Sequence, residues 1–215
     1  IDAIYISTSN NTHTNLIEKI LKEEKKILCE KPVSTSLDKF LKIKELIDKK
    51  KTQFCEAIAY YSHPQTLELL NLINNDEIGE IQKVESNFGF KAKFDPSSRL
   101  FNKSLGGGAV FDLGCYPLSF FMLLTNNPEK ITIKSKTLNY TKSDVDDDAT
   151  ALLNYDDKFE SKIHVSFKTN LNNICRIYGS KGFIKINEPW LPSKNSTIEV
   201  SSNKHFYIKS INSKL

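Results

Sequence analysis

The sequence predicts two unlike domains in series: part of a parallel α/β domain of the Rossmann type, then an α+β domain with a large, mainly antiparallel open sheet. Two observations carry this prediction. The first sixty residues alternate strand-like and helix-like segments, which implies parallel strands joined by right-handed crossovers. From Ile131 onward, short β-branched and aromatic runs follow one another with brief polar connections, which implies antiparallel pairing. The boundary is placed near residue 60, giving domains of residues 1–60 and 61–215.

The chain opens on Ile1-Asp2-Ala3-Ile4-Tyr5-Ile6-Ser7, which already reads as a strand. A natural start rarely falls inside a buried strand, so the sequence is expected to continue upstream. Residues 12–25 carry Leu16, Ile17, Ile20 and Leu21 at helical spacing. A short strand follows at Ile27-Leu28-Cys29. Ser36 then reads as the N-cap of a helix bearing Leu37, Phe40, Leu41, Ile43, Leu46 and Ile47. A third strand is predicted at 54–59, a helix at 64–74 and a strand at 81–90. A polar loop through Asp95-Pro96-Ser97-Ser98-Arg99 leads to Gly106-Gly107-Gly108 and an apolar helix ending near Leu124. Strands are then expected at 131–140, 149–155, 160–168, 174–178, 183–186, 197–201 and 206–209, ordered as an antiparallel meander.

Composition narrows the class. A chain of 215 residues with 39% hydrophobic and 26% charged residues is ordinary for a soluble globular protein. The net charge of +4 is small, and the lysines of 18–26 and 38–51 interleave with acids. Such runs read as solvated helix faces, and no nucleic-acid-binding motif accompanies them. The apolar run at 115–124 is too short to span a bilayer and is interrupted by Pro117 and Ser119, so no membrane partner is expected. Four dispersed cysteines without a CxxC pair argue against a disulfide framework or zinc site and for a reducing, cytoplasmic setting. Asp144, Asp146, Asp147 and Asp148 do not follow an EF-hand spacing, and no metal is expected.

Parallel strands place their C-terminal ends along one sheet edge, where open α/β folds bind ligands. Thr8-Ser9-Asn10, Glu30-Lys31-Pro32 and Ala59-Tyr60 are therefore predicted to gather at one crevice. The Glu30-Lys31 pair at a strand end reads either as a functional site or as a surface turn with an ion pair. In Gly106-Gly107-Gly108-Ala109-Val110-Phe111-Asp112-Leu113-Gly114-Cys115-Tyr116-Pro117, an α-helix would put Asp112 and Tyr116 on one face. Pro117 and Gly114 should distort that helix. The same stretch is equally readable as a glycine-rich helix start with a core tyrosine. His164 lies in an alternating strand and reads as structural.

Taken in order, these segments resemble the glucose–fructose oxidoreductase / inositol dehydrogenase (Gfo/Idh/MocA) family. Further matches are His63-Pro64-Gln65, Ile78-Gly79-Glu80-Ile81, Val145-Asp146-Asp147 and Tyr178-Gly179-Ser180-Lys181-Gly182. The resemblance implies NAD or NADP as cofactor and a sugar, polyol or related alcohol as substrate. It implies that Ser9, Asn10 and His13 line the dinucleotide, that Glu30 approaches the nicotinamide ribose, and that Lys31 contacts cofactor and substrate. Pro32 is expected in a cis bond. Asp112 and Tyr116 are expected to face the substrate, with Arg99, Tyr60 and His63 as further contacts. The Tyr116-Pro117 pair is more similar to the dihydrodiol/xylose dehydrogenase branch, where tyrosine acts as acid/base. Tyr61 and Ser62 depart from the arginine and aromatic residue of many relatives. The chain has no G-x-G-x-x-G, its first glycine being Gly79, so the phosphate-binding turn and ribose selector are expected upstream of Ile1.

The chemistry implied is consistent. Alcohol oxidation needs a base for the hydroxyl proton while a hydride leaves carbon. A tyrosine titrates near ~10 and needs a neighbouring cation to act at neutral pH, which Lys31 would supply. Asp112 would orient the lysine or a substrate hydroxyl. The reading is an NAD(P)-dependent oxidoreductase, present here in part and inactive as this piece alone. The alternative is a truncated, non-catalytic carbohydrate-binding or assembly module. The open sheet face is expected to build a homodimer or higher homo-oligomer, with Ile163, Val165 and Phe167 supplying core or interface.

Overall fold

The computed structural model describes residues 1–125, 128–156, 158–203 and 205–213. They form two compact units: Ile1–Ile58 with Lys93–Cys115 and Tyr140–Asp146, and Ala59–Ala92 with Tyr116–Asn139 and Asp147–Leu215. The first unit thus takes in two segments that the sequence assigns to the second domain.

In the first unit, β1 (Ala3–Ile6), β2 (Lys26–Glu30) and β3 (Phe54–Ala57) make a parallel three-stranded sheet in the order β1-β2-β3. The crossovers are α1 (His13–Ile20) and α2 (Leu37–Lys50). Ser36 caps α2, its hydroxyl accepting the Lys39 N–H at 3.5 Å. Both crossovers end on a left-handed residue, Glu24 (φ 52°) after a 3-10 turn and Lys51 (φ 51°), which stops each helix. Ile6, Ile17, Leu21, Ile27, Cys29, Val33 and Ile43 form the buried core between helices and sheet. The lysines of α2 pair on the helix surface, Lys44 with Asp48 at 2.7 Å and Lys42 with Glu18 at 3.0 Å. Such exposed pairs contribute little stability. Tyr5, Leu28 and Cys55 lie in register on the other face of the sheet, and all three are exposed.

In the second unit, α3 (Pro64–Asn74) starts on a proline at its first turn, where no N–H is needed. Its eight-stranded sheet comprises β4 (Ile81–Gly89), β5 (Ile131–Tyr140), β6 (Asp146–Tyr155), β7 (Phe159–Ser166), β8 (Cys175–Gly179), β9 (Gly182–Ile186), β10 (Asn195–Ser202) and β11 (Phe206–Asn212). The order is β11-β10-β9-β8-β4-β7-β6-β5, which corrects the expected meander. β4 lies between β7 and β8, parallel to the first and antiparallel to the second. The β7–β8 connection therefore has to cross the end of β4. It does so at Gly89, where a Cβ would come within 2.8 Å of Leu171 Cδ1 and Ser166 O. Only glycine admits that approach.

Ile163, Val165 and Phe167 are buried and belong to the core of this sheet. A second part of that core is aromatic: Trp190 packs edge-on against Phe120 at 5.6 Å and Tyr60 at 6.1 Å. The alternate positions of the sheet are polar, including the ion pair Lys185–Glu199 at 2.8 Å and the contact of His164 with Asp148 at 3.0 Å.

The helical run Lys103–Thr125 is longer than the apolar stretch read from the sequence, and its length and composition would suffice to cross a membrane. Leu113, Phe120 and Phe121 are buried within the protein, as in a core helix of a globular domain. The run is not uniform. It begins with a 3-10 turn at Lys103–Leu105, passes through a π turn at Val110–Gly114, and continues as α4 (Cys115–Thr125). The π turn replaces the expected α geometry around Asp112. Pro117 has no N–H, and its ring displaces the carbonyl four residues earlier, which favours a widened turn at that point.

Candidate active site

In the first unit, the ends of β1 and β2 border a cavity of about 240 Å³ lined by residues 7–10, Glu30, Lys31, Arg99, Leu105 and Asp112. Whole small-molecule sites commonly occupy ~300–1,000 Å³, so this space fits one end of a dinucleotide rather than its full length. Hydroxyl, amide and carboxylate groups on its wall suit a ribose and a polar ring.

Lys31 leaves the end of β2 and reaches the π turn. Its Nζ donates to Asp112 O at 2.7 Å and to Asp112 Oδ1 at 3.0 Å. The same Oδ1 accepts Arg99 Nη1 at 2.9 Å. The Lys31 and Asp112 side chains are each 11% exposed, whereas Arg99 is 63% exposed. Burial alone would push the Asp112 carboxyl up, but the Lys31 and Arg99 cations more than offset it and hold the group below the usual carboxylate range. The result is an ammonium aimed at a fixed carboxylate on the cavity wall.

Two glycines make this geometry possible. Gly106 is left-handed (φ 79°), and a Cβ there would lie 2.9 Å from Asn10 Cβ. Gly108 (φ 124°) faces Asp146 Oδ1 at 2.5 Å from an added Cβ. Asp146 Oδ2 accepts the Val110 N–H at 2.7 Å and so caps the π turn that carries Asp112. In the sequence Asp146 stands in an acidic run and in the Val145-Asp146-Asp147 match, and neither signals this cap.

The remaining cofactor candidates divide. Ser9, Asn10 and Glu30 line the cavity, with Asn10 Nδ2 also donating to Gly106 O at 3.0 Å and Glu30 Oε1 accepting Tyr5 Oη at 2.5 Å. His13 does not present a ring edge there. It is fully buried, its Nδ1 2.9 Å from Pro32 O and its Nε2 3.0 Å from Thr8 O, so it braces two loops from behind. Pro32 is buried too, and the Lys31–Pro32 bond is cis as expected. Cys115, next to this site, has its thiol pushed up to about 12 by burial.

In the second unit, Tyr116 is half-buried, its ring edge-on to Phe88 at 5.2 Å. Tyr60, expected as a substrate contact, is fully buried, and its hydroxyl donates to Tyr116 O at 3.0 Å, beside Ser119 Oγ at 2.7 Å. A residue just past a strand end reads as exposed in sequence, and aromatic packing overrides that. His63 is likewise buried and serves as the N-cap of α3, its Nδ1 accepting the Gln65 N–H at 3.1 Å. His164 pairs with Asp148 on the sheet.

A parallel strand–helix unit whose strand-end lysine pairs with a carboxylate on a helical turn, with an open mixed sheet in the other unit, has the architecture of a Rossmann-type domain followed by a sheet-based domain. Residues 66–185 match the GFO/IDH/MocA C-terminal domain, and residues 1–58 match the oxidoreductase family's NAD-binding Rossmann fold. The chain belongs to the GFO/IDH/MocA oxidoreductase family. It is 29% identical over 196 residues to trans-1,2-dihydrobenzene-1,2-diol dehydrogenase of Xenopus tropicalis, covering 90% of this chain and 58% of that protein. It is 27% identical over 187 residues to D-xylose 1-dehydrogenase (NADP(+)) 2 of Haloferax volcanii, covering 87% and 57% respectively. The chain thus spans less than three fifths of the length of these relatives. Among solved structures, the aldose-aldose oxidoreductase of Caulobacter crescentus, complexed with glycerol, superimposes with a TM-score of 0.89 at 19% identity, over 100% of this chain and 64% of that one. KijD10, a 3-ketoreductase from Actinomadura kijaniata in complex with NADP and TDP-benzene, gives 0.88 at 20% identity, over 99% and 66%.

Proposed function

We propose that this chain carries the nicotinamide-end and substrate-binding parts of an NAD(P)-dependent oxidoreductase acting on a sugar, polyol or related alcohol. The observation that carries the reading is the Lys31 ammonium, held at 2.7 and 3.0 Å by Asp112 on the wall of a strand-end cavity. When bound, the nicotinamide supplies hydride transfer. The chain's own residues bind, orient and move the proton. Ser9, Asn10 and Glu30 offer hydrogen-bonding groups to the ribose end of the cofactor. Lys31, oriented by Asp112, holds a positive charge that would favour ionisation of a phenol or alcohol brought next to it. Tyr116 is assigned as the acid/base on its Tyr-Pro setting and the family membership, and Arg99 as a substrate contact at the mouth of the cavity. A cytoplasmic homo-oligomer assembled through the open sheet face completes the proposal.

The test uses the full-length protein that contains this chain, assayed for reduction of NAD and NADP with aldoses, polyols and trans-dihydrodiols. Tyr116→Phe keeps the ring and its packing and should lower turnover by ~10²–10⁴-fold, the usual share of a general acid–base group, with dinucleotide binding nearly unchanged. Lys31→Ala should impair both turnover and cofactor affinity. Turnover close to wild type in both variants would overturn the reading.

A further inference from the structure

A second carboxylate lies behind Lys31. Glu56, near the end of β3, pairs in register with the fully buried Cys29 of β2. Its Oε1 accepts the Val33 N–H at 2.9 Å. Three consecutive residues are thus each gripped by a different side chain: Lys31 by Asp112, Pro32 by His13 and Val33 by Glu56. A backbone N–H needs only an acceptor, and a glutamine or serine would serve. Burying a carboxylate there instead carries a desolvation cost. That cost is visible: burial raises the Glu56 carboxyl above its usual range, against the Val33 N–H, His13 and Lys31, which pull it down. Glu56 thus fixes the backbone two residues beyond Lys31 and lies within electrostatic reach of that lysine.

We propose that Glu56 is a positioning residue for Lys31, anchoring the Val33 amide and supporting the Lys31 ammonium with its negative charge. The inference rests on the reading of Lys31 as the relay lysine. The charged groups facing Lys31 are Asp112 and Glu56, Glu30 on the cavity wall, and the opposing cation Arg99. His13 acts on Glu56 itself and is hydrogen-bonded to Pro32 O at 2.9 Å. Cys29 and Cys115, each pushed up to about 12 by burial, are neutral thiols at working pH. Among the described residues, Glu56 is one of the negative charges within reach of the lysine. Its support is lost as pH falls through its raised pKa.

The experiment compares pH profiles of kcat/KM for the full-length wild type, Glu56→Gln, Glu56→Ala and Lys31→Ala. Glutamine keeps the acceptor for Val33 but not the charge. It should hold turnover near wild type at its optimum while the limb reporting Lys31 moves to lower pH by about half a unit or more. Glu56→Ala should show the same shift and a lower kcat, with substrate KM little changed, and glutamine should rescue the kcat loss. A Glu56→Gln profile superimposable on wild type overturns the proposal, whether or not the alanine variant folds. If Lys31→Ala is inactive while that profile stays unmoved, only the Glu56 assignment fails. If Lys31→Ala is fully active, the relay reading itself fails.

Discussion

Lys31 touches Asp112 twice, through the carboxylate Oδ1 at 3.0 Å and the main-chain carbonyl at 2.7 Å. The second contact ties the lysine to the backbone of the π turn, so the ammonium is positioned even if the carboxylate is changed. This separates two roles that a simple ion pair would merge.

Asp112→Asn should therefore keep the lysine near its place but lose the charge that Lys31 and Arg99 share. The Asp112 carboxyl is held below its usual range in the folded protein. A depressed folded pKa contributes stability that is present above the unfolded value, near ~3.9, and is lost as pH falls through the folded one. Denaturant unfolding should show the variant less stable at pH 7 by about 1–3 kcal/mol, the cost of a weakened buried charged partner. The gap should narrow as pH drops below ~4. A gap that widens in acid would contradict the assignment.

Gly108 and Gly114, six positions apart, should respond oppositely to alanine. At Gly108 the backbone is at φ 124° and the new Cβ would meet Asp146 Oδ1 at 2.5 Å. Strain and loss of the Asp146 cap should cost about 1–3 kcal/mol and lower the Tm. At Gly114 the nearest atom, Val110 Cγ1, is 3.6 Å away, an ordinary contact. Alanine there should be neutral or stabilising by about 0.5–1 kcal/mol. Thermal melts of the two variants check both signs.

Tyr60→Phe distinguishes a core role from a substrate role. Its hydroxyl donates to Tyr116 O inside the aromatic core, so its removal should cost roughly 1 kcal/mol of stability. Substrate KM should stay within about twofold, since no transition-state contact is lost. A large KM change with unaltered Tm would restore Tyr60 as a substrate contact.

Much of the site was legible as sequence because its chemistry sits in short runs. Glu30-Lys31-Pro32 at a strand end and Asp112 after three glycines stand out without coordinates. The burial of His13, Tyr60 and His63 is not legible in the sequence, because burial is a property of the fold: a polar residue in a motif looks the same whether it faces a ligand or caps a helix. Glu56 escaped notice for the opposite reason, being a single acid in an otherwise plain strand whose partner, Val33, lies 23 residues away.

Local signals in the sequence specify the elements. Strand periodicity, the Ser36 cap and the proline that opens α3 are local signals, and each acts within a few residues. Tertiary structure alone decided which strands are neighbours and which side chains meet. The insertion of β4 between β7 and β8, and the meeting of Lys31 with a carboxylate 81 residues later, bring together segments far apart in the chain. An alternating pattern states which face of a strand is apolar but not which strand lies beside it. Pairing is settled by what the whole chain can bury at once.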